Sequence, residues 1–244
     1  MSTKDRLVEA GLRLLESEGP ESLNARKLAA EIGASTMTVY THFGGMAGLY
    51  EALLRQAFVR FGQALAAVEH TDDAVADLLT LGLAYRDFAS ASPQRYRLMF
   101  GVTAPGSSIA PPHDLTEEGS PGGIPEASAT FDELREAVQR ALDTGRIDGD
   151  DPVAIAAQFW SMIHGFVLLE MSGYFGTEGG GVTTVLAPHA TNLLIGLGDD
   201  PAAVARSVRS ARERFGDGAG PPHPGSRTPD VRRGPRPGRT SGRR

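Results

Sequence analysis

Residues 24–43, NARKLAAEIGASTMTVYTHF, leave the chain little freedom of local structure. Asn24 stands where an N-cap belongs, and Leu28, Ala29 and Ile32 recur on one face, predicting a helix from about Ala25 to Ile32. Gly33 follows where the chain must leave that helix through a left-handed residue, which glycine does without a Cβ penalty. Ser35 is placed to cap a second helix, from Thr36 to about His42. Two helices with a short, Gly-led connection have the geometry of a helix-turn-helix, whose second helix fits the DNA major groove.

The surface of the second helix supports that reading. Thr36, Met37, Thr38, Tyr40, Thr41 and His42 are mostly small or hydrogen-bonding, and none is acidic, as a polyanionic partner requires. Val39 and Phe43, spaced i and i+4, are its inward anchors. A purely structural helix would show a wider apolar stripe. The alternative is a short surface helix in an ordinary bundle, and the succession of cap, glycine and cap weighs against it.

The chain has 244 residues, enough for one large domain or two small ones. Helix formers dominate and long alternating β-branched runs are missing, so the expected fold is all-α. With no cysteine, a disulfide framework, a Cys metal site and a thiol nucleophile are all excluded. The N-terminus carries acids and no unbroken apolar run, so no signal peptide is expected, and no window reaches the ~18 apolar residues of a membrane span. A soluble cytoplasmic protein is the expectation, with no membrane partner.

The net charge of −6 hides a partition. Residues 1–62 carry seven Lys/Arg and seven Asp/Glu, residues 63–200 net −14, and residues 201–244 net +8. The acidic middle would repel phosphates over about a Debye length, so it is not the DNA-facing part. The neutral N-terminal piece must bind through local contacts.

A helix is predicted from about Lys4 to Glu18, with Ser2 and Asp5 spaced as a capping box and Leu7, Ala10, Gly11, Leu14 and Leu15 facing inward. Another runs from near Met46 to about Val68, long enough to join the DNA-binding unit to the rest as a lever. Helices are then expected over Asp72–Ala91, through YRLMF at 96–100, over Phe131–Thr144, over Pro152–Tyr174 with Asp151 as cap, and over Thr183–Leu197. Residues 101–129, with five prolines, read as a long loop, either a lid over a pocket or an inert insertion. The expected domains are 1–45, 46–200 and a basic, largely disordered tail, 201–244, in which Ala202–Phe215 has the pattern of a basic helix.

Residues 4–54 resemble the DNA-binding domain of the tetracycline-repressor (TetR) family of bacterial regulators. The likeness rests on the helix before the motif, on RKLAAEIG, on STMTVYTHF with Tyr40, His42 and Phe43, and on LYEALL. Trp160-Ser-Met-Ile-His164-Gly165 and YRLMF resemble the ligand-binding domain of TetR-like proteins named for a Trp-His-Gly motif. The resemblance implies an N-terminal three-helix helix-turn-helix domain, a C-terminal helical-bundle regulatory and dimerisation domain, and a homodimer on a palindromic double-stranded DNA operator. It implies a repressor answering an unknown small-molecule effector, with no cofactor and no metal.

Position by position, the resemblance gives roles. Asn24 matches the phosphate anchor at a helix N-terminus, Arg26 the residue that reaches a base, and Lys27 a phosphate contact. Ser35 opens the recognition helix; Thr36, Met37, Thr38 and Thr41 match base-edge contacts, and Tyr40 and His42 phosphate clamps. Family members commonly place a lysine where this chain has Met46, so one phosphate contact is in doubt and Met46→Lys is expected to strengthen binding.

For the regulatory half, candidate pocket residues are Tyr85, Phe88, Met99, Phe100, Phe131, Phe159, Trp160, Met162 and His164, a cluster that any core would also contain. Trp160 and His164 share a face with Gly165 beside them for close helix approach, and read either as an effector site or as packing. By the family's four-helix dimer interface, Phe166, Val167, Leu193, Leu194 and Leu197 are the candidate dimer contacts. Two rivals remain: a non-specific architectural DNA-binding protein using the basic tail, and an all-α enzyme. The enzyme lacks HExxH, a P-loop and a dinucleotide fingerprint, and is not expected.

Overall fold

Capping at Ser2 starts the first helix. In the computed structural model, which describes residues 1–100, 114–115, 124–176 and 179–216, the Ser2 hydroxyl accepts the Asp5 amide at 3.1 Å and the Asp5 carboxylate accepts the Ser2 amide at 2.8 Å. Helix α1 (Thr3–Glu18) ends at Gly19, and a single 3-10 turn, Pro20–Ser22, leads to α2 (Ala25–Glu31), α3 (Thr36–Phe43) and α4 (Met46–Ala66). Leu7, Leu14, Leu15, Leu23, Leu28, Val39, Leu49 and Leu53 form the small core that these helices enclose. Ile32 and Phe43 pack at its edge. Removing these side chains from water is the main force that holds three short helices together.

The remaining helices are α5 (Ala74–Ala91), α6 (Pro93–Met99), α7 (Pro125–Asp143), α8 (Pro152–Met171), α9 (Ala187–Gly196) and α10 (Pro201–Phe215); no strand occurs among the described residues. They surround a second, larger core that includes Phe58, Phe61, Val75, Tyr85, Tyr96, Val138, Phe159 and Val167. The boundary between the two units runs through the middle of α4, because Leu49 and Leu53 serve the small core while Ala57, Phe58, Phe61 and Leu65 serve the large one. Leu98 on α6 also packs into the small core. Charged links reinforce the seam, with Glu9 paired to Arg60 and Glu16 to Arg95.

Several expectations change. Residues 201–215, placed with the tail but with the pattern of a basic helix, form α10, and this helix is docked, with Val204, Ser207 and Ala211 buried. Aspartates hold it: Asp77, only 2% exposed, pairs with Arg214 at 2.8 Å and Arg140 at 2.9 Å, and Asp73 accepts the Ser207 hydroxyl at 2.8 Å. The net charge of a segment hides such pairing, since Arg140 and Arg214 answer an acid far away in sequence. Helix α7 begins at Pro125 rather than Phe131, because proline at a first helical position needs no N–H partner. The expected helix over Thr183–Leu197 instead opens with a π-helical stretch, Val182–Leu186, just ahead of Pro188, which has no N–H to give. Helix α8 contains a stretch long and apolar enough for a membrane span, contrary to expectation, and its Ile155, Phe159, Ile163 and Val167 are buried in the bundle. The lid or insertion at 101–113 and 116–123 and the disorder expected over 217–244 lie outside the described residues.

Candidate nucleic-acid interface and effector cavity

Val39 is fully buried, so α3 turns its other side outward. Thr36, Met37, Tyr40, Thr41 and His42 are exposed together and Thr38 is half-buried between them; Met37 is 67% and Tyr40 53% exposed. Large side chains so far out of the core, on a helix with no acid, form a surface fit for a polyanion. Gly33, at φ 69°, makes the turn that sets α3 against α2. Arg6 of α1 donates to the Ile32 carbonyl at 2.9 Å and fixes the same turn from outside. No spacing rule in the sequence points to Arg6.

The polar groups refine the expected roles. The Asn24 side-chain Oδ1 accepts the Lys27 amide at 2.9 Å, so Asn24 is a helix cap that organises the N-terminus of α2. Ser35 occupies the cap position of α3 but makes no side-chain bond to its amides; its hydroxyl lies 3.3 Å from that of Thr38. Thr41 donates its proton to the Met37 carbonyl at 2.9 Å, which leaves its oxygen as an acceptor and its methyl free. Arg26 is exposed and forms no ion pair among the described residues. Lys27 is paired with Glu18, so a phosphate must displace a carboxylate to reach it. Met46 packs against the small core and reaches the cavity described next, so a lysine there would exchange packing for charge, a cost the sequence alone does not reveal.

Behind this unit a cavity of about 870 Å³ lies between α4, α5, α6, α7 and α8 and reaches α9 and α10. Tyr85, Met99, Phe100, Phe131, Phe159, Trp160 and Met162 line it as expected; Phe88 and His164 do not. Phe88 packs on Phe61 with ring centres 4.9 Å apart and planes tilted by 34°, and His164 does not line the wall. The walls are mainly apolar, and Leu54, Leu78, Leu81 and Ile163 add to the aromatic rings. Such a volume and lining suit a drug-sized molecule.

A line of hydrogen bonds runs from the wall inward. Trp160 donates its indole N–H to the Tyr85 oxygen at 3.3 Å, the Tyr85 and Tyr96 hydroxyls are 2.7 Å apart, and the Tyr96 hydroxyl is 2.7 Å from His164 Nδ1. The Tyr85 hydroxyl also lies 3.1 Å from Nδ1, so the indole donates into a cluster in which the two hydroxyls and the imidazole share donor and acceptor roles. Burial pushes His164 below its ordinary pKa and raises both tyrosines, so every member is neutral near neutral pH. The Trp-His-Gly segment thus builds a polar seam inside the core. Gly165 has open space where a Cβ would project, so it serves no close contact within the protomer.

The candidate dimer residues turn toward the chain's own bundle. Phe166, Val167 and Leu194 are buried in the protomer's own core, and Leu193 and Leu197 pack against it. A helix apolar on every side does not reveal from sequence which side its own bundle takes. The exposed large apolar side chains of α8, the π-helical stretch and α9 are Leu169, Val185 and Ile195.

Comparison with known proteins agrees with this geometry. Residues 7–53 match the model of bacterial regulatory proteins of the tetR family, and residues 78–193 match the tetracyclin repressor-like C-terminal domain. An uncharacterized HTH-type transcriptional regulator of Mycobacterium tuberculosis is 29% identical over 174 residues, covering 70% of this chain and 71% of its own. The HTH-type transcriptional repressor DrrR1 of Streptomyces coeruleorubidus is 40% identical over 52 residues, 21% of this chain and 19% of its own. Among solved structures, a protein from Rhodococcus sp. RHA1 superposes with a TM-score of 0.66 at 27% identity, covering 82% of this chain and 97% of its own. RolR, solved with resorcinol, has the same fold at a TM-score of 0.54 and 16% identity over 85% of this chain and 93% of its own. The chain belongs to the tetR family of bacterial transcriptional regulators and carries that family's helix-turn-helix DNA-binding unit.

Proposed function

We propose that this regulator is a cytoplasmic homodimeric repressor that places α3 of each subunit in one half-site of a palindromic operator and leaves it when a small molecule fills the cavity. The observation that carries this reading is a shared set of supports. Helices α4 and α6 hold both the DNA-binding unit, through Leu49, Leu53 and Leu98, and the cavity wall, through Phe58, Phe61, Met99 and Phe100. A ligand that favours one arrangement of these helices shifts the spacing of the two recognition helices, and it does so only by its differential affinity for the two states. Half-sites are fixed about one helical turn apart, so a small change of spacing weakens binding.

Arg26 and the outward residues of α3 read base edges, while Tyr40, His42 and the open amides of α3 meet phosphates. The second copy packs on the outward sides of α8 and α9, where Leu169, Val185 and Ile195 are exposed and Gly165 has room for a neighbouring helix. The repressor DrrR1 and the resorcinol complex of RolR support the repressor and ligand parts of the reading.

The deciding experiment is selection of bound genomic fragments followed by footprinting. One protected palindrome, occupied by two subunits per site in sedimentation, is the expected result. Protection spread without boundaries belongs to a non-specific architectural protein and overturns the reading.

A further inference from the structure

The cavity wall carries a positive charge that no ion pair balances among the described residues. Arg55, one of its two arginines, donates to Glu51 at 3.1 Å and to Glu126 at 3.1 Å. Arg212 is the other, and it makes no ion pair or hydrogen bond among the described residues. It is half-buried on α10, in the company of Val208 and Ala211. Its neighbours on that helix are accounted for differently: Arg214 is fixed by Asp77, and Arg206 and Arg209 are exposed. The pairs Arg214–Asp77 and Arg146–Asp199 anchor α10 and its approach to the bundle, which leaves Arg212 as a fixed cation at an apolar chamber.

We infer that the ligand of this cavity is an apolar molecule bearing one carboxylate, with its body among the rings of α4, α6, α7 and α8 and its carboxylate on Arg212. The guanidinium fork matches a carboxylate in a bidentate manner, and charge-assisted bonds of this kind are the strong ones. Among the described residues Glu51 is the one acid on the wall, and it is held by Arg55 on α4, a separate helix from the one that carries Arg212. A dication would be repelled by Arg212, and an uncharged sugar would leave most of its hydroxyls against apolar walls. Helix α10 lies beyond the matched C-terminal domain, which ends at residue 193, so this anchor is a property of the chain itself. The inference rests on the cavity being the effector site.

Gly82 provides an independent handle. It lines the cavity from α5, and a Cβ there would meet nothing within 4 Å. A larger side chain at this position projects into the chamber and competes with any occupant.

The test titrates the full chain with two matched pairs at neutral pH, dodecanoate against dodecanol and naphthaleneacetate against naphthaleneethanol. Binding is read from Trp160, the single tryptophan, which lines the cavity. In at least one pair the acid should bind about tenfold or more tightly than the alcohol, the pair identifying an alkyl or an aromatic body. Arg212→Gln should erase that preference, Arg212→Lys should keep part of it, and Gly82→Leu should weaken acid and alcohol alike. Gly82→Ala serves as the folded control. Equal affinities for acid and alcohol in both pairs, no binding in either, a preference that survives Arg212→Gln, or acid binding untouched by Gly82→Leu overturns the inference. Loss of the regulator reading would show instead as a wild-type protein without a footprint, whatever these ratios are.

Discussion

The Tyr96 hydroxyl sits 2.7 Å from His164 Nδ1, and both residues stand behind the cavity wall while their neighbours Tyr85 and Trp160 form part of it. The neutral imidazole is favoured there, since burial penalises the charged ring. Burial holds His164 below its ordinary value of 6.5. The unfolded chain therefore binds more protons than the folded one as pH drops below about 6.5, and stability is full above that pH and lost on the way down to the folded pKa. Thermal midpoints between about pH 7 and pH 5 should fall in the wild type and change less in His164→Gln, which keeps an acceptor without titrating. His164→Leu removes the acceptor and should cost about 1–3 kcal/mol at neutral pH in urea unfolding. A wild-type profile as flat as that of His164→Gln would remove the titration argument.

Two glycines in helices should respond in opposite ways to alanine. A Cβ at Gly48 would overlap the Phe43 carbonyl oxygen, a backbone atom held by the turn between α3 and α4. Gly48→Ala should destabilise by about 3 kcal/mol and weaken DNA binding with it. At Gly82 the same Cβ meets nothing, so the entropy saved in a helix interior should give about 0.5–1 kcal/mol of added stability. Calorimetry on both variants checks the contrast, and a destabilised Gly82→Ala would show that the space around it is not open.

The difference between those glycines also shows where sequence reasoning stops. Helix periods, the caps at Ser2, Asn24 and Asp151 and the left-handed Gly33 are local, and each stands where the pattern places it. The outward face of α3 was legible for the same reason, because one buried Val39 fixes the other sides of so short a helix. Long-range pairing was not. Arg6 reaches a carbonyl 26 residues away, Lys27 meets Glu18 across the 3-10 turn, and Asp77 collects arginines from α7 and α10. The basic helix over 202–215 is legible, but not its docking, which rests on Arg214 meeting Asp77 and Ser207 meeting Asp73. Phe88 and His164 were placed in the cavity because ring-rich faces look alike until the neighbouring helices are known.

Arg26 and Lys27 are adjacent cations that should contribute unequally to operator binding. Arg26 has no partner among the described residues, whereas Lys27 must first leave Glu18. Arg26→Ala should cost about 1–3 kcal/mol and relax selection at one base pair. Lys27→Ala should cost under about 1 kcal/mol, spread evenly over sequences, and lower the salt slope slightly. Tyr40→Phe removes a hydroxyl from the exposed face and should weaken binding without changing base preference. Salt-titrated binding to the footprinted site and to single-base variants measures all three, and equal losses at residues 26 and 27 would mean that Glu18 does not restrain the lysine.

Asp77 is the point at which α10 can be released. Its carboxylate accepts the Thr71 amide and hydroxyl, each at 2.7 Å, and pairs with Arg140 and Arg214. Burial alone would raise its pKa, yet these bonds outweigh burial and hold it below the ordinary 3.8. The contribution is therefore complete above about pH 4 and is lost as pH falls through the folded value, well below the window of His164. Asp77→Asn keeps the shape but leaves two guanidinium groups without their counter-charge, and breaking such a buried arrangement costs about 3–5 kcal/mol. The loss should concentrate on α10, which buries Val204 and Ala211 but is otherwise arginine-rich and outward. Trypsin should then cut after Arg206, Arg209 and Arg212 in Asp77→Asn under conditions that leave the wild type intact. Since Val208, Ala211 and Arg212 line the cavity, the same variant should lose the preference for an acidic ligand before it loses the fold of the DNA-binding unit. Uniform cleavage along the whole chain would instead make Asp77 a support of global stability, with no separable release of the helix.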